Sequence, residues 1–334
     1  MILIEELKLK LKLKLISSFI LLFSIFPLYS EPLFTSNPEV KTFINKMVLE
    51  HNFMQEELQS LFKSGQYQEK VIRIMDRQPE GTMTWSQYKK IMINPSRINL
   101  GKEFIKNFKQ DLIRAEDIYG VPAEVIAAII GIETRFGKNT GSTKVLDSLL
   151  TLSFEYPRRG KFFKTQLMNF LLLAREEGLD PRLIKGSIAG AMGYGQFMPD
   201  SYRDYAVDFN YDGQRDLFSD ATDAIGSVAN FLSKKGRWKP NSGIAVKAFL
   251  TLDRPNIKST FKPSLSILDL EAKGLIPVVP LMANQKFIPI ELEIEEGFEY
   301  WIGMENYRAL SRYNRSKLYI MAVIELSNSL VEYL

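Results

Sequence analysis

The chain has 334 residues, of which 46% are hydrophobic and 25% are charged, and its formal net charge is +4. This is an ordinary globular composition with room for two or three packed units, and so weak a basic bias gives no argument for a nucleic-acid partner. The chain has no cysteine and one histidine, His51. Disulfides, thiol nucleophiles and zinc sites built from cysteine or several histidines are therefore excluded, and a Ser-His-Asp triad on His51, which lies in a polar stretch, is disfavoured.

The first thirty residues have the pattern of an export signal. Lysines alternate with leucines from Leu7 to Leu15, a short apolar run follows, and Pro27 and Ser30 come just before Glu31. Since the apolar run is short for a membrane span, we predict a signal peptide over residues 1–30, with an uncleaved membrane tether as the alternative. A lipoprotein is excluded because the chain has no cysteine. We expect an exported, periplasmic protein.

Apolar spacing predicts a helical N-terminal domain over residues 31–115. Val40, Phe43 and Met47 recur at the three-and-four spacing of a helix face, and the pattern breaks at Ser64-Gly65.

The next predicted helix carries one carboxylate on its apolar face. Pro122 suits the first helical position, Gly137 suits a left-handed stop, and Glu133 lies four residues after Ile129, in line with the apolar stripe. An unpaired carboxylate among isoleucines is costly to ionise, so its pKa is expected to rise toward neutrality, which suits a general acid. The alternative is a structural carboxylate that caps a neighbour or pairs with Arg135.

A glycine-rich segment runs from Gly186 to Pro199. It is not preceded by a strand or followed by Lys-Ser/Thr, so a phosphate-binding loop is disfavoured. Glycines let a sugar approach the backbone, and Ser187, Tyr194 and Gln196 could bind N-acetyl and hydroxyl groups. A tight turn between helices is the alternative, and both interpretations can hold together.

The segment from Asp208 to Asp216 follows the first half of an EF-hand calcium loop. The side-chain ligands would be Asp208, Asn210, Asp212 and Asp216, with a main-chain ligand at Gln214. Ser219 stands where the closing glutamate of a standard loop would be. An acidic solvated turn is the alternative.

Short alternating apolar runs interrupted by proline and glycine predict a small β subdomain over residues 243–300, with the prolines at sheet edges. A last helix is predicted from Ser316 to about Val331.

Several of these motifs together resemble the B-type lytic murein transglycosylases of bacteria, from about Asp111 onward. The resemblance is carried by Gly-Ile-Glu133-Thr-Arg-Phe-Gly, Tyr156-Pro-Arg158-Arg159, Gly186-Ser187 through Gln196-Phe-Met-Pro199, Asp223-Ala-Ile-Gly-Ser and Arg312-Tyr313-Asn314. It implies a mainly α fold of the α+β class. A lysozyme-like catalytic core would occupy residues 116–242 and 301–334 and hold the EF-hand-like loop, and the β subdomain would be inserted into it.

The resemblance also implies a reaction. Glu133 would serve as acid and then base in cleaving the β-1,4 bond between N-acetylmuramic acid and N-acetylglucosamine without water, forming 1,6-anhydromuramyl ends. The alternatives are a hydrolytic muramidase, which needs a second carboxylate such as Asp147 or Glu155, and a non-catalytic peptidoglycan-binding protein.

The resemblance further implies site residues and partners. Arg158 and Arg159 would lie beside Glu133, Tyr313, Asn314 and Tyr319 would form the catalytic centre, and Ser187, Tyr194 and Gln196 would bind the glycan. A structural Ca²⁺ would be closed by Asp223, one residue later than usual, with Asp216 and Asp220 in reserve. The expected partners are peptidoglycan glycan strands, with cell-wall synthases as further candidates, no nucleic acid, and a monomeric state.

Overall fold

The computed structural model describes residues 33–77, 83–252, 257 and 259–334, so the predicted signal peptide lies outside the described residues. The chain divides after Lys63 into two compact units. Each helix of the described part is too short or too polar to cross a bilayer.

The first unit is helical, as predicted. It contains α1 (Leu33–Ser36), α2 (Pro38–His51) and all but the last residue of α3 (Gln55–Ser64). The side chain of Asn37 caps α2 by accepting a hydrogen bond from the Glu39 amide, and left-handed Asn52 ends it. The predicted apolar face is buried, and the Phe43 and Phe62 rings stack with centroids 5.9 Å apart.

The second unit is built around one buried helix, α7. Its helices are α4 (Glu69–Arg77), α5 (Trp85–Met92), α6 (Pro95–Tyr119), α7 (Ala123–Thr134), α8 (Val145–Phe154), α9 (Gly160–Glu176), α10 (Pro199–Tyr205), α11 (Ala221–Phe231), α12 (Ile267–Ala272), α13 (Glu305–Tyr313) and α14 (Lys317–Leu330). Helices α6, α11 and α14 all pack on α7. The apolar surface of α7 therefore extends almost all round, beyond the single predicted stripe, as expected for a helix covered on several sides.

Four strands form an antiparallel sheet in the order β4-β3-β6-β5. They are β3 (Ala245–Leu250), β4 (Leu275–Pro277), β5 (Ile288–Ile294) and β6 (Gly297–Gly303), and a separate pair joins β1 (Thr143–Lys144) to β2 (Lys185–Gly186). Pro277 and Pro289 lie on the edge strands β4 and β5, as predicted. Proline has no N–H to donate, so it is tolerated on an edge strand, where one side of the backbone has no partner strand. The sheet packs on a separate hydrophobic cluster of buried residues, formed by Leu270, Leu275, Phe287, Ile302 and Met304.

The domain boundaries proposed from sequence, at residues 115, 242 and 300, stay a prediction. Helix α6 continues through residue 115, although its backbone leaves helical geometry at Phe108. The last helix lies where it was predicted, with Ser316 as its cap.

Candidate active site

Helix α7 ends just after Glu133 in three consecutive left-handed residues. Arg135, Phe136 and Gly137 have φ values of 52°, 58° and 82°, so the stop predicted at Gly137 begins two residues earlier. The reason is the Phe136 ring, which turns back into a gap between α6 and α7. A Cβ on Gly131 would lie 2.5 Å from this ring and one on Gly101 2.9 Å from it. Packing thus overrides the preference of Arg135 and Phe136 for negative φ and fixes the end of the helix that carries Glu133.

Glu133 is half-buried, and its Oε1 accepts a hydrogen bond of 2.7 Å from the Tyr319 hydroxyl of α14. Burial, and then the charge of Glu133, raise the pKa of Tyr319 well above its ordinary value. Tyr319 therefore stays protonated and acts as a donor to the carboxyl group. The guanidinium of Arg135, the alternative partner considered from sequence, donates to Ser96 Oγ at 2.9 Å.

Tyr313 links this carboxyl group to the glycine-rich segment. Its hydroxyl donates to the Gly195 carbonyl at 2.5 Å, and its ring lies parallel to that of Tyr319 with centroids 6.5 Å apart. Burial and the nearby Glu133 charge raise the pKa of Tyr313 well above its ordinary value. A Cβ on Gly195 would stand 2.9 Å from the Tyr313 hydroxyl oxygen, so glycine is needed there. Asn314 follows directly as the end of α13 and is half-exposed.

The glycine-rich segment is also tied to α7 through Thr134. The fully buried Thr134 hydroxyl lies 2.9 Å from the carbonyl oxygen of Tyr194, to which it donates, and accepts from the Gly137 amide at 3.0 Å. Gly137 leaves room for the Tyr194 ring, because a Cβ there would lie 2.1 Å from it. These contacts hold Tyr194 against the end of the Glu133 helix.

Ser187 and Gln196 hold turns within the same segment. Ser187 Oγ accepts from the amides of Ala189 and Ala191 at 3.3 and 3.0 Å. The Gln196 side-chain amide donates to the carbonyls of Thr140 and Gly193, both at 3.0 Å. The segment therefore contains tight turns, but it runs from the two-residue strand β2 to α10 and not between two helices. The interpretation that no strand precedes it is wrong, and contacts with a sugar stay a prediction.

Arg158 and Arg159 lie just before α9, with Arg159 at its N-cap. Arg158 forms an exposed ion pair of 3.3 Å with Asp76, and the Arg159 guanidinium lies 4.5 Å from the centroid of the Phe162 ring. Neither of these contacts involves Glu133, beside which both arginines were predicted to lie. A role of the two arginines in substrate binding stays a prediction.

The acidic loop is organised by hydrogen bonds to its own backbone. Asp208 accepts from the amides of Asp212 and Gly213 at 3.1 and 2.8 Å, and Asp212 accepts from the amide of Gln214 at 2.9 Å. Among the reserve residues, Asp216 closes a turn with the amides of Phe218 and Ser219, and Asp220 caps α11.

Asp223 lies beneath this loop and joins both of its limbs. Its Oδ1 accepts from the amides of Phe209 and Asn210 at 2.7 and 3.2 Å, and its Oδ2 accepts from the amide of Asp216 at 2.8 Å. Burial raises the pKa of Asp223, and the three amide donors act in the opposite direction. The loop in turn meets the glycine-rich segment, because the Tyr194 amide donates to the Leu217 carbonyl at 2.8 Å.

Comparison with known proteins decides the family. The model of the transglycosylase SLT domain family matches residues 35–328. The membrane-bound lytic murein transglycosylase B of Escherichia coli K12 is 43% identical over 305 residues, which cover 89% of this chain and 83% of that protein. The chain belongs to this family of lytic transglycosylases.

Solved structures of the family have the same fold. SltB1 of Pseudomonas aeruginosa has a TM-score of 0.84 at 40% identity, covering 90% of this chain and 99% of that one. Escherichia coli Slt35 in complex with bulgecin A has a TM-score of 0.83 at 43% identity, covering 89% and 93%. The predicted lysozyme-like, mainly helical fold and the enzyme class are confirmed. The family match also begins well upstream of Asp111, where no motif had indicated it.

Slt35 of Escherichia coli has also been solved in complex with calcium. Among the residues that the structure describes, no three carboxylate or histidine side chains form a metal site by themselves. An EF-hand-like site does not need them to, because amide and main-chain oxygens complete its ligands. Here the Asn210 amide nitrogen lies 3.1 Å from Asp212 Oδ2 and 2.8 Å from Asp220 Oδ2. Two carboxylates thus converge on the Asn210 side chain, and the carboxylate, amide and main-chain oxygens of the loop are of the ligand type that Ca²⁺ prefers.

Two contacts that hold the site of this lytic transglycosylase together were not predicted from the sequence. Thr134 ties α7 to Tyr194, and Tyr202 donates to the Arg215 carbonyl and accepts from the Leu217 amide at 3.1 Å. The contact of Thr134 could have been suspected from the sequence, because Thr134 is a small polar residue directly after the candidate acid at the end of an apolar helix. Nothing in the sequence around Tyr202 distinguished it from an ordinary core residue.

Proposed function

We propose that Glu133 is the single acid and base of a lytic transglycosylase acting on the glycan strands of peptidoglycan. The observation that carries the proposal is the bond from Tyr319 to Glu133 Oε1, set beside the contact of Tyr313 with the Gly195 carbonyl. A protonated tyrosine that donates to one carboxyl oxygen fixes the orientation of the group, which general acid catalysis requires.

The reaction needs no water. The Glu133 carboxyl group protonates the oxygen that leaves C1 of N-acetylmuramic acid, and the bond between C1 and this oxygen breaks. The acetamido oxygen of the same sugar bonds to C1 as the positive charge develops there. The 6-hydroxyl oxygen then displaces it, and its proton passes to the Glu133 carboxylate, which restores the acid and closes the 1,6-anhydro ring. An intramolecular hydroxyl has a large effective molarity over water once the ring is held.

The residues around Glu133 would hold the muramyl ring. We assign Tyr313 and Asn314 to the reacting sugar, with the acetamido group against Asn314. We assign Ser187, Tyr194 and Gln196, together with Arg158 and Arg159, to the glycan. Burial raises the pKa of Tyr194, so its hydroxyl is available as a donor throughout the neutral range.

A hydrolytic muramidase would need a second carboxylate near Glu133. Asp147, one of the two candidates, is buried, and its Oδ1 accepts from the Gln66 amide at 3.0 Å. This structural engagement argues against Asp147 as the second carboxylate. Mass spectrometry of digested sacculi separates the possibilities, since transglycosylation leaves anhydro ends, hydrolysis leaves reducing ends, and a binding protein releases nothing.

Asn314→Ala is expected to lower kcat with little change in KM. If Asn314 supports the acetamido group as charge develops, its loss should raise the barrier by about 1.5 to 3 kcal/mol. Steady-state kinetics on purified glycan strands measures both constants, and an unchanged melting temperature shows that the fold is retained. An unchanged kcat with a raised KM would make Asn314 a ground-state binder and would remove it from the mechanism.

We also propose that the loop binds a structural Ca²⁺ through Asp208, Asn210, Asp212, Gln214 and Asp223. The ion would neutralise the gathered carboxylates and fix the loop against the glycine-rich segment, while Glu133 performs the chemistry.

Calcium is therefore expected to raise the melting temperature, because an ion that binds the folded state alone stabilises it by mass action. Asp212→Ala should abolish this shift, whereas Asp204→Ala, on α10, should keep it. Thermal melts with calcium and with a chelator provide the measurement, and a wild-type curve that is indifferent to both would count against the site.

Because its proposed substrate is peptidoglycan, the protein would act in the cell envelope. A membrane-bound relative supports this location. Export by residues 1–30 remains our proposal for how the chain arrives there.

A further inference from the structure

A cavity of about 600 Å³ lies between the loop 259–262 and helix α13. Its lining is strongly basic. It contains the side chains of Lys262, Arg308, Arg312 and Arg315, with the hydroxyl residues Thr260 and Ser311 between them.

These four cations are not neutralised by any carboxylate in the described part of the chain, since its ion pairs involve other residues. Arg308 and Arg312 are one turn apart on α13, where like charges repel, and Arg315 lies two residues after the helix ends. The dipole of α13 favours a cation in its last turn, which accounts for Arg312. It does not account for Lys262, on a separate loop, or for Arg308, a full turn earlier. The charge of the cavity therefore points to an anionic ligand.

The walls of the cavity are held by packing. The Arg315 guanidinium lies 5.5 Å from the centroid of the Phe261 ring, and that ring stacks on Tyr307 at 6.4 Å with 12° between the planes. Tyr307 is 1% exposed. On the loop side, the Thr260 hydroxyl donates to the Lys262 carbonyl at 3.1 Å. The basic side chains thus project from a fixed frame.

We propose that this cavity binds carboxylate groups of the peptide that is attached to the muramyl sugar. The proposal rests on the lytic transglycosylase function above, because that activity brings the peptide to the enzyme. Helix α13 carries Arg308 and Arg312 and ends at Tyr313 and Asn314, which we assign to the muramyl ring, and Arg315 is the next residue. The peptide carries several carboxylates, and guanidinium groups bind carboxylates with two parallel hydrogen bonds. The glycan offers uncharged hydroxyl groups, which would form no ion pairs with these four cations.

The test compares two substrates, peptide-bearing sacculi and the same material stripped of peptides by an amidase. The variant Arg308→Gln/Arg312→Gln should raise KM about tenfold on the peptide-bearing substrate and less than about twofold on the stripped glycan. The difference should shrink in high salt. The matched control, Lys106→Gln/Lys109→Gln, removes the same charge from α6 and should leave KM unchanged on both substrates.

An equal rise in KM on both substrates, or no rise on either, would overturn the proposal. Direct binding separates its failure from that of the proposed function. The peptide released by the amidase is titrated calorimetrically into the wild-type protein and the double variant, and binding to the wild type alone supports the cavity even if no anhydro product forms. If the wild type binds inorganic pyrophosphate and not the peptide, the cavity is a phosphate site and the proposal is wrong.

Discussion

Replacing Glu133 by glutamine is expected to lower turnover on peptidoglycan by at least about a hundredfold, the usual scale for removing a general acid. Glutamine keeps the size of the side chain, and its carbonyl oxygen can still accept the hydrogen bond from Tyr319. What it loses is the proton that the leaving oxygen needs and the carboxylate that receives the proton of the 6-hydroxyl. The defect should therefore lie in kcat, with binding to sacculi retained.

The matched control is Glu124→Gln on the same helix. Glu124 lies in the first turn of α7 and is half-buried, and burial raises its pKa, so the substitution has the same shape and a similar setting. Its turnover should stay near that of the wild type. Near-normal turnover in Glu133→Gln would mean that another group supplies the proton.

Removing the carboxylate of Asp223 is expected to give the largest loss of stability. In Asp223→Ala, the amides of Phe209, Asn210 and Asp216 lose their acceptor together, and Phe209 is buried where water cannot replace it. The free energy of unfolding should fall by about 3 kcal/mol or more, since each unsatisfied buried group costs about 1–3 kcal/mol. The melting temperature without calcium measures this loss directly.

Asp212→Ala serves as its control. Asp212 is exposed and accepts from one backbone amide, that of Gln214, so its loss without calcium should cost about 1 kcal/mol or less. Equal losses in the two variants would show that Asp223 does not fasten the loop.

Local patterns in the sequence predicted the parts of the fold that depend on near neighbours. Val40, Phe43 and Met47 form a buried helix face because the helical period brings them to one side, and Pro277 and Pro289 lie on sheet edges because proline lacks a donor.

The rest of the site depends on contacts between distant segments. Tyr313 meets Gly195 across 118 positions and Thr134 meets Tyr194 across 60, and no periodicity encodes such pairs. The left-handed conformation of Arg135 was missed for the same reason, since a distant glycine at 101 makes the room for Phe136 that imposes it. The motif around Glu133 indicated a candidate acid, but only the fold could show which groups contact it.

The most direct test of the single-carboxylate mechanism is digestion of sacculi in ¹⁸O-labelled water, with the released fragments weighed by mass spectrometry. The mechanism predicts muramyl ends that are one water lighter than reducing ends and carry no ¹⁸O, because the attacking oxygen comes from the sugar itself. Reducing ends that carry ¹⁸O at C1 would show that water is the nucleophile and would contradict the mechanism.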